Sequence, residues 1–89
     1  MANFTKDPDA DLDYTRDWAP WLAGGDTIET STWIVEDGID HSRESHTDTA
    51  ATIWLTGGTV GRTYSVTNRI TTTSGRTDDR TFTIEIRQR

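Results

Sequence analysis

TYSVTNRITTTSGRTDDRTFTIEIR, residues Thr63 to Arg87, is two alternating runs on either side of a glycine-centred turn. Tyr64, Val66, Asn68 and Ile70 share one face of the first run, and Phe82, Ile84 and Ile86 share one face of the second. Thr, Ser, Arg and Glu fill most of the positions between them. Period-two alternation of this kind is the mark of half-buried strands. The two runs therefore predict a β-hairpin that forms the main wall of one core. Its register follows from parity. A two-residue turn at Ser74-Gly75 pairs Ser65 with Ile84 and turns the two apolar sets to opposite faces. A slip of one residue forfeits the whole buried face, so that register loses. The parity asks instead for a three- or five-residue loop around Gly75, with glycine or a bulge taking positive φ.

Earlier segments repeat the theme. Asp7, Asp9, Asp11 and Asp13 alternate along DPDADLDYTRDW, which predicts a first strand with Leu12, Tyr14 and Trp18 as burial candidates. Aspartates at every second position suggest calcium, but the EF-hand glycine and final glutamate are missing, and an extended segment spreads its carboxylates. A solvated acidic edge that discourages stray pairing is the stronger reading. WAPWLAGG, residues 18 to 25, is too short for much of a helix. Pro20 suits a first turn and Gly24-Gly25 a stop. Trp21 and Leu22 are expected to plug one end of the core, with a carbohydrate-stacking platform as the alternative.

Asp26 to Val35 reads as a second strand. Ile28 falls on one face and Trp33 and Val35 on the other, so a bulge near Thr30-Ser31 is needed to reconcile them. Glu36-Asp37-Gly38 signals a turn. Ile39 to Asp48 is polar and fits a short edge strand. Its Asp40, His41, His46 and Asp48 match no closed zinc spacing. In Thr49 to Leu55, Ala51, Ile53 and Leu55 point inward and Trp54 outward. An outward tryptophan is a candidate interface residue, since aromatics are enriched at binding hot spots; the competing reading has a neighbouring arm or loop covering it. Thr56 to Arg62 lacks the Lys-Ser/Thr of a phosphate loop, and its glycines are expected to carry the chain between sheets. Residues 1–6 read as a flexible N-terminal arm in which Phe4 is the one large apolar group and a second interface candidate. Residues 7–89 read as one sandwich domain.

Composition narrows the function. The chain has 89 residues, 31% hydrophobic, against a usual roughly 45–50%. Four Trp, two Tyr and two Phe make a thin core feasible. Cysteine is absent, so no disulfide framework is available. A net charge of −6 argues against nucleic acid, which needs a basic footprint. Acids crowd the N-terminal half, whereas Arg62, Arg69, Arg76, Arg80, Arg87 and Arg89 lie late in the chain. That asymmetry serves either contacts between copies or pairing within one chain. No run is apolar enough to span a membrane and no signal-peptide core is seen, so synthesis in a cytoplasm is expected. Neither histidine stands in a triad setting, and no cofactor or metal site is expected. The expectation is a non-enzyme.

Several stretches together resemble small β-sandwich proteins from the structural genes of tailed bacteriophages and prophages. They are Asp13-Tyr14, Asp17-Trp18, Trp21-Leu22, Gly25-Asp26-Thr27-Ile28, Trp33, Trp54-Leu55-Thr56-Gly57-Gly58-Thr59, Gly61, Tyr64 to Asn68, Gly75-Arg76-Thr77-Asp78 and Phe82-Thr83-Ile84. This covers most of the chain after Lys6. The resemblance implies an immunoglobulin-like sandwich in the virion, made in the bacterial host and contacting other virion proteins, with homo-oligomers among the options. Head decoration, a head–tail joint and tail attachment all stay open. It brings no catalytic or ligand residues. The fold expectation stands without it: all-β, an immunoglobulin-like sandwich of about seven short antiparallel strands. The alternative function is a binding module for a host-surface glycan or protein, which requires Trp18 and Trp21 to be exposed.

Overall fold

A computed structural model describes residues 4–22 and 24–88. Among them are seven strands: β1 (Phe4–Lys6), β2 (Leu12–Asp17), β3 (Ile28–Val35), β4 (Ile39–His46), β5 (Ala50–Gly57), β6 (Thr63–Thr72) and β7 (Thr77–Ile86). One sheet has the order β1-β7-β6-β3 and the other β2-β5-β4. Lettered A to G along the chain, these are the G-F-C and B-E-D sets of an immunoglobulin-like sandwich. Strand A differs from the constant-type antibody arrangement, in which it joins B. Here it joins G, and that pairing is parallel, with Phe4 beside Ile84 and Lys6 beside Ile86. The other strand pairs are antiparallel.

The closing hairpin has the parity that its apolar sets require. Tyr64 pairs with Ile84 and Val66 with Phe82. The last pair is Thr71 with Thr77, and Thr72 N–H also donates to the Arg76 carbonyl at 2.8 Å. Gly75 turns the loop at φ 92° and donates its N–H to the Thr72 carbonyl. Only glycine enters that region without a Cβ penalty.

The core lies between the sheets. Ala51, Ile53 and Leu55 of β5 face Val66, Ile84 and Ile86, all of them fully buried. Tyr64, Trp33, Phe82 and Ile39 complete this cluster. Each fully buried Ile, Leu or Val contributes about 1.5–3 kcal/mol relative to exposure. A second, smaller cluster of Trp18, Ile28 and Ile70 closes one end, with Trp21 and Leu22 packed against it. Trp21 and Leu22 reach it through a tight turn in which both N–H groups donate to the Trp18 carbonyl.

Several local expectations shift. Phe4–Lys6, placed in the N-terminal arm by sequence, form part of the first sheet, while residues 1 to 3 lie outside the described residues. Lys6 ends this strand with its ammonium satisfied. It is fully buried, and its Nζ donates to the carbonyls of Asp7 (2.7 Å) and Gly57 (2.9 Å). Leu12, expected to be buried, is 42% exposed because it opens the edge strand β2. The irregularity in β3 falls between Ile28 and Thr30, just before the expected place. β4 is longer than a short edge strand, with eight residues and a bulge between His41 and Arg43.

Candidate interaction surfaces

Because the odd residues of β5 face the core, Thr52, Trp54 and Thr56 face outward from the second sheet. Trp54 is the middle of that outer face. The register places Asp13 of β2 on one side of it and Arg43 of β4 on the other. The Arg43 guanidinium lies 4.1 Å from the Trp54 ring centroid. A cation over an aromatic face is worth about 0.5–1 kcal/mol at an exposed site. It holds the indole flat and half-buried. Around this row, Thr15 and Thr52 share a hydroxyl hydrogen bond (2.9 Å), and Ser42 Oγ donates to the Asp11 carboxylate. The face thus offers one flat aromatic, one cation and a fringe of aspartates and hydroxyls.

Phe4, the other sequence candidate, is not part of this face. Its ring sits edge-on to Tyr14 at 5.0 Å and to Phe82 at 5.2 Å, across the seam between the sheets. It is 43% exposed, so it closes the core and still presents apolar area to water.

The late arginines are largely engaged within the chain. Arg69 forms a two-pronged pair with Asp79 (2.8 and 3.0 Å). Arg80 pairs with Asp78 and lies over Trp18, Arg76 lies 4.1 Å over Trp21, and Arg87 approaches Glu85. Trp18 is 1% exposed and Trp21 is half-buried between it and Arg76. Asp40, His41 and His46 lie along the exposed β4, where His41 approaches Glu44 at 3.8 Å. At the start of the chain, burial pushes the Lys6 ammonium below its ordinary range, against the opposing pull of Asp7, Asp11 and Asp9.

Two structural features were missed by sequence reasoning. Asp26 grips the β6–β7 turn: its carboxylate accepts from Thr73 Oγ1 (3.0 Å), Ser74 N (3.2 Å) and Ser74 Oγ (2.7 Å). The Ser74 hydroxyl bond leads the others in holding its pKa down to about 2. By sequence Asp26 reads as the start of a strand, and nothing nearby announces a partner far along the chain. The second is the free edge of β3, whose TSTWIV run carries no charge, proline or glycine.

No cavity opens among the described residues. What the fold displays is strand edges and flat sheet faces, the features of a small immunoglobulin-like β-sandwich. Residues 6–85 match the model of the family described as Podophage GP4 fiber-tail adaptor protein gp77, and the chain belongs to that family. It is a phage structural protein. No curated protein matches it.

Proposed function

We propose that this chain is a non-enzymatic tail component that joins fibre and tail proteins of a podophage particle by surface contact. The family description supports a tail position over head decoration. The observation that carries the contact reading is the Asp13–Trp54–Arg43 row across the outer face of β2-β5-β4. Tryptophan and arginine are among the residues enriched at protein–protein hot spots. The chain would be made in the host cytoplasm and end in the virion, with several copies around the tail. Host-glycan binding through Trp18 and Trp21 finds no support, because Trp18 is buried and Arg76 covers Trp21.

The test is assembly of particles carrying Trp54→Ala, scored by mass spectrometry and cryo-EM of the purified tail. The variant is expected to fold and to be missing from the tail. Normal incorporation at the fibre–tail junction would remove Trp54 from the contact. Absence of the wild-type chain from tails would end the adaptor reading altogether.

A further inference from the structure

The sandwich has four sheet edges, and three of them are blunted. β1 has only three residues among those described. β2 carries Asp13, Arg16 and Asp17. β4 has a bulge after His41 and the charges of Asp40, Arg43 and Glu44. Short strands, bulges and charges are the standard defences against stray strand pairing. The fourth edge, β3, has none of these from Thr30 to Val35.

The ladder shows which groups that edge offers. Glu36 N–H bonds to the Ser65 carbonyl, in the same register that pairs Ile34 with Thr67 and Thr32 with Arg69. Bonded and non-bonded pairs alternate in an antiparallel ladder. Ser31, Trp33 and Val35 therefore point their N–H and C=O groups away from β6, along the open edge. The same strand holds the buried indole N–H of Trp33, which has no acceptor among the described residues. Beside it Ile34 is 46% exposed on the outer face.

We propose that β3 accepts an extended strand from another particle protein, which would add to the β1-β7-β6-β3 sheet. The expected strand is apolar at alternate positions and basic at its ends. Glu29 stands at one end of the open run, Glu36 at the other accepts from the Ser65 N–H of β6 at 2.9 Å, and the chain as a whole carries a net charge of −6. A second copy of β3 brings those same glutamates and the same net charge, so self-pairing is disfavoured. Main-chain hydrogen bonds would supply the affinity and the alternate side chains the selectivity. This shares with the tail-adaptor reading only the premise that the chain works by contact.

The experiment is NMR on the isolated chain with a synthetic heptapeptide of alternating valine and threonine bearing lysine at both ends. In the free chain the amides of Ser31, Trp33 and Val35 should exchange quickly, while those of Thr32 and Ile34 are protected. Peptide should shift residues 30 to 35 and protect the first three. Ile34→Lys, at an exposed position, and a peptide with glutamate ends should each weaken binding by at least about tenfold. The proposal is overturned by shifts that map to β2 or β4, by no shifts, or by binding that ignores Ile34→Lys. It is overturned equally if those three amides are already protected in the isolated chain in proportion to its concentration, which would mean self-pairing. Failure of the chain to locate to tails would leave a positive peptide result standing.

Discussion

The indole N–H of Trp18 donates to Asn68 Oδ1 over 2.8 Å, with both residues 1% exposed. Asn68 returns the favour elsewhere, since its Nδ2 donates to Ser31 Oγ (3.0 Å) and the Thr32 carbonyl (3.2 Å). One amide thus links the segment after β2 to both β3 and β6. Its position on the apolar face of β6 is a matter of satisfaction: a buried polar side chain is tolerable when each end finds a partner.

Removing that amide should therefore cost more than its size suggests. Asn68→Ala leaves the Trp18 donor buried and unmet, a penalty of about 1–3 kcal/mol. Trp18→Phe removes the donor and strands the Asn68 acceptor instead. A double-mutant cycle by urea unfolding should give a coupling of about 0.5–3 kcal/mol. Additive losses would show that the bond carries no stability of its own.

Asp26 sets an acid dependence. Its folded pKa is about 2, below the ordinary 3.8, chiefly through the Ser74 hydroxyl. A depressed carboxylate stabilises the fold above the unfolded value and loses that contribution as pH falls through the folded one. Wild type should therefore exceed Asp26→Asn in urea midpoint at pH 7. The gap should narrow between pH 5 and pH 2. A gap that stays constant to pH 2 would mean that the charge is not what holds the β6–β7 turn.

Gly58 and Gly75 separate two costs of adding a methyl group. Both have positive φ, at 97° and 92°. At Gly75 a Cβ meets nothing within 4 Å, whereas at Gly58 it would stand 2.6 Å from Ile86 Cγ1. Gly75→Ala should cost about 1–2 kcal/mol, from left-handed strain. Gly58→Ala should cost about 1–3 kcal/mol more, because the core side chain Ile86 must move. Equal losses in thermal unfolding would show that the inter-sheet connection yields freely.

The closing hairpin was legible because its evidence is local: alternation names the faces, and parity rejects the tight turn. β5 was legible for the same reason, and its alternation also put Trp54 outside. The pairing of Lys6 with the Gly57 carbonyl was hidden, since the contact spans the chain and a lone lysine reads as solvated. Leu12 reads as core by alternation, and only the strand order reveals that it opens an edge. The arginines show the same gap. Their clustering late in the sequence left contacts between copies and pairing within one chain both open, and Arg69, Arg76 and Arg80 find carboxylates and indoles within their own chain. Register determines those partners, and composition carries no register.

The two faces of β5 give the clearest test of the contact surface. Ile53 and Trp54 are adjacent, one fully buried and the other outward beneath Arg43. Ile53→Ala opens a cavity and should cost about 2–5 kcal/mol. Trp54→Ala forfeits the stacking with Arg43 and should cost about 1 kcal/mol or less in urea unfolding. Arg43→Ala should keep the fold and raise acrylamide quenching of tryptophan fluorescence, because it uncovers the indole. If Trp54→Ala destabilises as strongly as Ile53→Ala, the indole is part of the sandwich's own support. Its removal from particles would then report misfolding and not a lost contact.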